Sequence, residues 1–236
     1  MSDIANYIIA NNIRIRVFRA PNDPETCARF VEGHHRLLEI HYGIAKITSG
    51  GAEWTAHTNT IVIVAENIEG TKVFGGARVQ VADNQVPLPI ETAIGKYDNK
   101  IHTMINVGSA EICGLWNSME VAGLGIGSVF MARVGIAVCD QLPIDKVFFL
   151  CAPVTVRIGK RIGGVVETAL GDNGIFYYPK DDFVATSMII RDPQTLIKAD
   201  PAERERIMSL RQNPVQQKTE SGPKGSLEVD YRLKIN

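Results

Sequence analysis

The sequence predicts an α/β (α+β) protein built on one mixed sheet, antiparallel in its first half and closed by splayed parallel strands around a buried helix. Three observations predict this. Thr60–Glu66 and Val73–Ala82 are apolar strands joined by the turn Asn67-Ile68-Glu69-Gly70, which makes an antiparallel hairpin. Val129 to Leu142 is a helix with only Arg133, Asp140 and Gln141 plainly polar, so nearly its whole surface must be covered. Lys146–Ala152 (KVFFLCA) is an unbroken apolar run, the pattern of a strand covered on both faces.

The remaining elements follow in order. Ile13–Arg19 alternates apolar and basic residues, the period of a half-buried strand. Pro21-Asn22-Asp23-Pro24 is a turn whose end can cap a helix, and Glu25 to Ile40 is amphipathic, with Phe30, Leu37 and Leu38 toward a core. Ser49-Gly50-Gly51 breaks the chain. Pro87-Leu88-Pro89 opens an irregular stretch with a short helix at Ile90–Ile94. Ala110–Trp116 is a strand that runs into the glycine-rich turn 123–128 and the buried helix, which Pro143 ends. Pro153 stops the strand Lys146–Ala152, and Val154–Ile162 is a short helix ended by Gly163-Gly164. Val165–Leu170 and Gly174–Tyr178 read as a hairpin about Gly171-Asp172-Asn173, and Phe183–Arg191 as a last strand. Residues 1–195 form one domain in this reading. Residues 196–236 hold a charged surface helix, Pro201–Asn213, and a polar tail (QQKTESGPKGS) that reads as mobile.

Composition narrows the function. The chain has 236 residues, 45% hydrophobic and 22% charged, which suits one packed core and not bulk disorder. Lys+Arg is 25 and Asp+Glu is 26, so the formal charge of −1 provides no field for nucleic acid or for an anionic membrane. No stretch reaches the length of a membrane span, and Met1–Ala10 lacks the basic start of a secretory signal. Cys27, Cys113, Cys139 and Cys151 are widely spaced with no CxxC pair, which reads as free thiols in a cytoplasmic protein.

The chemistry concentrates at Ala110 to Gly164. A glycine-rich turn opening a helix presents unpaired N–H groups and the positive end of the helix dipole, so Gly123, Leu124, Gly125, Ile126, Gly127 and Ser128 form a candidate site for an anion such as a pyrophosphate. The spacing is neither the GxGxxG of a dinucleotide fold nor a Walker loop, because Gly127 falls one place early and no lysine follows. A tight turn with no ligand is the alternative.

With its flanking strands, this stretch resembles the core of the GNAT superfamily of acyl-CoA-dependent N-acyltransferases, and the order of elements extends the likeness over roughly residues 13–191. Glu111–Asn117 matches the family's fourth strand, Gly125-Ile126-Gly127 its G-x-G, and Lys146–Ala152 its fifth strand. The resemblance implies acyl transfer from acyl-CoA, or an acyl carrier thioester, to a small-molecule amine. It implies a pantetheine arm along the backbone of Leu115, Trp116 and Asn117, and a backbone N–H near Gly114–Leu115 for the oxyanion. No metal is implied, and a homodimer is compatible with it. Three places depart from the pattern: Ala122 stands for the motif's Arg or Gln, Gly159 for the usual helix tyrosine, and Gly163-Gly164 for the Gly-Phe end.

His35-Arg36-Leu37-Leu38-Glu39, Gly76-Ala77-Arg78-Val79, Leu88-Pro89-Ile90-Glu91 and Glu111 resemble a narrower branch, that of acyl-homoserine-lactone synthases and N-acyl amino acid synthases. This implies an apolar acyl tunnel drawn from Phe130, Met131, Phe148, Phe149 and Leu150. Glu111, on an otherwise apolar strand where partial burial would raise its pKa, is the candidate acceptor of the amine proton, directly or through water, Tyr177 the replacement general acid, and Arg78 the clamp for a substrate carboxylate. A non-catalytic acyl-CoA sensor is the rival of another class, because the usual acid is missing. His34, His35 and His41 lack metal-ligand spacing and read as packing residues. Asp181-Asp182 reads as a turn, and Cys113 and Cys151 as core thiols.

Overall fold

The computed structural model describes residues 12–43 and 47–236, with backbone only for His41, Tyr42, Gly127 and Ser128. The reading of Met1–Ala10 lies outside these residues. Strand β1 (Ile13–Arg19) leads into helix α1 (Pro24–Tyr42). Asp23 caps that helix by accepting the Thr26 N–H at 3.0 Å, and Gly43, at φ +56°, ends it. Strands β2 (Thr60–Asn67) and β3 (Val73–Val81) form the expected hairpin. Helices α2 (Pro89–Ile94) and α3 (Lys100–Met104) precede β4 (Ser109–Asn117). The glycine loop then enters one wide turn, Ile126–Phe130, and helix α4 (Met131–Val138). Strand β5 (Lys146–Cys151), helix α5 (Pro153–Arg161) and strands β6 (Val165–Val166), β7 (Ile175–Tyr177) and β8 (Val184–Ile190) follow. Helix α6 (Pro201–Gln212) and strands β9 (Val215–Gly222) and β10 (Gly225–Arg232) complete the chain.

All the strands join one sheet of order β6-β8-β5-β4-β3-β2-β1-β10-β9, with β7 also on β8. The mixed architecture is as the sequence predicts. Two local readings are corrected. Residues 165–178 do not close on themselves as a hairpin: β6 and β7 each pair with β8, because the apolar run of β8 offers a long partner to both. The polar tail is not mobile: β9 and β10 form a hairpin, and β10 runs parallel to β1 from Ile13↔Val229 to Arg16↔Arg232. The driving force is the alternation of Leu227, Val229, Tyr231 and Leu233, all buried, along the last strand.

A buried ion network locks this C-terminal segment onto helix α4. Arg133, wholly buried, pairs with Glu203 of α6 and with Glu220 of β9, the latter at 2.7 Å. Tyr231 donates to Glu220 at 2.9 Å, and Arg161 reaches Glu203 at 3.1 Å. Gln141 adds an amide clasp, donating to the Leu233 carbonyl at 2.6 Å and accepting the Ile235 N–H at 3.1 Å. Removing the one guanidinium would leave two carboxylates short of their counter-charge in a low-dielectric core. Arg133→Met should therefore lower unfolding stability by about 3–5 kcal/mol in urea titrations. A loss below about 1 kcal/mol would mean that hydrophobic packing alone holds the segment.

Candidate active site

Strands β4 and β5 are parallel for only three residue pairs, Ser109↔Lys146 to Glu111↔Phe148. Beyond Glu111 they part. Pro153 begins α5 directly after β5, and β4 bulges: Cys113 pairs with Arg78 and Trp116 with Gly76, so β4 uses one more residue than β3 over this span. Gly114 sits in the bulge at φ +62°, a conformation that only glycine adopts readily. A cavity of about 420 Å³ fills the opening. It crosses the sheet. On one side it meets Ile112, Ala132, Phe149, Ile158 and Ile162 of the main core. On the other it meets Ile90 and Ala93 of α2 together with His34, Glu111 and Cys113.

Glu111 lines the cavity and is 2% exposed. Its Oε2 accepts the Ile90 N–H at 2.7 Å. Burial pushes its carboxyl up to about 8, against the pull of the Ile90 amide and the Arg78 charge. At neutral pH it is an acid. A raised value is what the sequence leads one to expect of a carboxyl on an apolar strand; at this depth it holds its proton at rest, so accepting the amine proton would require it to ionise first.

His34 also lines the cavity, at 3% exposure. Its ring packs edge-on to Phe30 at 6.2 Å, and no hydrogen bond to it is found among the described residues. Burial, then the charges of Arg78 and His35, pull its imidazole down to about 3, so it is neutral. The packing role read from the sequence misses this placement. A signal existed: His34 is a polar residue in the middle of the apolar stripe Phe30-His34-Leu37-Leu38.

Arg78 is 1% exposed and does not line the cavity. It donates to the Ser49 carbonyl at 2.8 Å and lies over the Trp54 ring at 4.8 Å. In this arrangement it is no substrate clamp. It holds the segment 47–51, whose Ile47, Thr48 and Ser49 close one wall of the cavity. Tyr178 fastens the same segment, with its hydroxyl 2.7 Å from the Thr48 N–H and 2.9 Å from Thr48 Oγ1. Tyr177 is 58% exposed and outside the cavity. Strand alternation turns it outward, and its neighbour Tyr178 is the lining residue.

Leu115 lines the cavity. Trp116 packs against Phe30 at 5.8 Å, and Asn117 bonds the Ser118 carbonyl at 2.8 Å, so for both it is backbone and not side chain that a ligand on this edge would meet. Of the residues expected in an acyl tunnel, Phe149 and Leu150 line the cavity, while Phe130, Met131 and Phe148 are buried elsewhere in the core. The loop that includes Gly123, Leu124, Gly125 and Ile126 lies beside the opening and not within it. Gly123 and Gly125 are left-handed, at φ +91° and +87°. The β9–β10 turn rests on this loop, with the Lys224 N–H 3.0 Å from the Gly123 carbonyl. The cavity reaches the helix that the loop feeds, at Ala132. Cys113 and Cys151 are held as thiols, pushed up to about 12 and about 11 by burial, which excludes resting thiolates. Among the described residues no group of three His, Cys, Asp or Glu could hold a metal ion.

No family model and no curated protein matches the sequence. Solved structures do match its fold. FeeM, an N-acyl amino acid synthase from uncultured soil microbes, aligns with a TM-score of 0.56 and 15% identity over 82% of this chain and 98% of its own. BjaI, a CoA-dependent acyl-homoserine lactone synthase, aligns with a TM-score of 0.55 and 13% identity over 84% of this chain and 90% of its own. ElaA of Escherichia coli aligns at 0.54 and 9%, over 75% and 98%. The chain thus has the GNAT-like fold that its motifs resemble.

The buried carboxyl makes a pH test. Between about pH 4.5 and 8 the unfolded chain has released the Glu111 proton and the native chain has not, so stability falls as pH rises through that window. The loss is on the order of a few kcal/mol. Glu111→Gln keeps an acceptor for the Ile90 amide and cannot ionise. Its melting temperature relative to the parent should rise between pH 5 and pH 8.5. A difference that is the same at both pH values would show the carboxyl to be solvated.

Proposed function

We propose that this protein transfers an acyl group from acyl-CoA to the nitrogen of a small-molecule amine. The observation that carries the proposal is the cavity through the sheet at the bulge in β4, apolar on the α4 side and carrying His34 and Glu111 among apolar residues on the α1 side. A thioester carbonyl seated at the bulge would meet the backbone N–H groups of Gly114 and Leu115. Preorganised donors of this kind are worth about 10²–10³ in rate. Among the described residues the edge of β4 that faces β5 has no strand partner from Ile112 to Asn117, so a pantetheine arm can bond there as a short added strand. Its pyrophosphate would approach the backbone of Gly123, Leu124, Gly125, Ile126, Gly127 and Ser128. The acyl chain would lie against Ile112, Phe149, Ile158 and Ile162. Coenzyme A is a co-substrate in this reading.

The leaving thiolate needs a proton. Gly159 stands where the resemblance places the usual tyrosine, and Tyr177 is outside. Glu111 is an acid inside the cavity, and its raised pKa matches that of a thiol, ordinarily about 8.5. We assign the protonation of the thiolate to it. The likeness to FeeM, an N-acyl amino acid synthase, and to BjaI, an acyl-homoserine lactone synthase, supports the narrower reading over a generic acetyltransferase. Among the described residues no helix is long and apolar enough to cross a membrane. A cytoplasmic enzyme with small-molecule substrates fits this composition.

The test is turnover with an amine panel and acyl-CoA donors of graded length. Each buried CH₂ contributes about 0.8 kcal/mol, so octanoyl-CoA should bind at least about a hundredfold more tightly than acetyl-CoA. Equal affinity would favour a generic acetyltransferase. Binding without release of free thiol for any amine would favour a sensor.

A further inference from the structure

We infer that His34 takes the proton from the attacking amine, as the base that complements Glu111 across the same cavity. This rests on the acyl-transfer reading above. The geometry is that of a site open to a ligand. His34 is buried and lines the cavity; no hydrogen bond to its ring is found among the described residues, and its ring nitrogens are not among the fully enclosed polar atoms left without a partner, so they face the cavity's open space. The ring packs on Phe30, whose ring sits about 3.5 Å from where a Cβ on Gly114 would be, so one aromatic ring separates it from the bulge. Leu37 and Leu38, also on α1, line the wall beside it, so the base stands on a rigid helix and not on a loop.

The groups facing His34 decide its state. They are Arg78 of β3, Glu111 and Cys113 of β4, His35 of its own helix, and Tyr178 with Asp182 at the far wall. Arg78 is the nearby cation, and Glu111 and Cys113 are neutral, so the ring rests without a proton and is ready to accept one. Negative charge grows on the thioester oxygen and then on sulphur as the amine attacks. That charge opposes the Arg78 field and stabilises an imidazolium at the moment it forms. The steps balance. The amine nitrogen forms a bond to the acyl carbon, and its surplus proton goes to His34. The C–S bond breaks, and the sulphur takes the Glu111 proton to leave as free thiol. His34 then returns its proton to the Glu111 carboxylate. Two groups with oppositely shifted proton affinities in one cavity make an acid–base pair.

The experiment compares the parent with His34→Gln, His34→Ala and Glu111→Gln, using octanoyl-CoA and the amine that gives the highest rate in the panel. His34→Gln should lower kcat by about 10²–10⁴ while the Kd for octanoyl-CoA stays within threefold. Imidazole should restore His34→Ala at least tenfold, and pyrazole, of the same size but far less basic, should not. Parent turnover with His34→Gln within threefold of it would overturn the role of His34 and leave acyl transfer standing. Equal rescue by imidazole and pyrazole would also overturn it, because filling the space would then be enough. Failure of the parent to transfer to any amine would overturn the acyl-transfer reading and this inference with it. If the variants melt well below the parent, ¹⁵N-histidine spectra of the parent decide. A ring that is neutral at pH 5, and shifted by octanoyl-CoA, supports the inference. A ring that is protonated at pH 5, or unmoved by the ligand, overturns it.

Discussion

The site depends on the brevity of one pairing. β4 and β5 share three residue pairs and then part, and everything of chemical interest lies in the gap. A parallel pair that stayed zipped would fill this space with ladder hydrogen bonds and leave no cavity. Two local features keep it open. The bulge at Gly114 adds a residue to β4 that β3 does not match, which increases the twist of the strand. Pro153 has no N–H to offer a ladder and starts a helix at once. The gap is stable because both of its rims are anchored on their far sides, β4 by β3 and β5 by β8.

The gap also sets the electrostatics. A carboxyl and an imidazole on its walls are both denied water, and burial is the largest influence on each. Burial penalises the charged form, which for a carboxyl means a raised pKa and for an imidazole a lowered one. The same desolvation therefore makes Glu111 an acid and His34 a free base. Arg78 acts on both, yet its guanidinium donates to the Ser49 carbonyl and lies over the face of Trp54. It shapes the wall and the field without entering the cavity.

Much of this was legible in the chain. The hairpin of β2 and β3, the capped α1, the apolar α4 and the covered β5 all follow from periodicity and turn chemistry, because each is set by neighbours close in sequence. Glu111 is singled out for the same reason, as a charge on an apolar strand, and that position already predicts a raised pKa; the depth that brings it to about 8 comes from α2 folding over it. The sequence points to Tyr177 and the structure to Tyr178, because a three-residue strand carries too little alternation to fix which side faces in. Leu227, Val229, Tyr231 and Leu233 alternate behind a polar run, and it is pairing with the distant β1 that makes this stretch a strand.

The sequence by itself determined the class of the fold, the strand–glycine–helix core, the absence of a strong charge field and the presence of a carboxyl on an apolar strand. Those are local or compositional properties, and the chain writes them directly. Only the tertiary structure decided where β4 and β5 separate, that Tyr178 and not Tyr177 looks inward, that Arg78 supports a wall, and that His34 lines the cavity. Each of these depends on which distant segments meet. The segment 47–51 reaches Arg78 and Tyr178 across 29 and 130 residues of sequence respectively, and no period or motif within the chain encodes such a meeting.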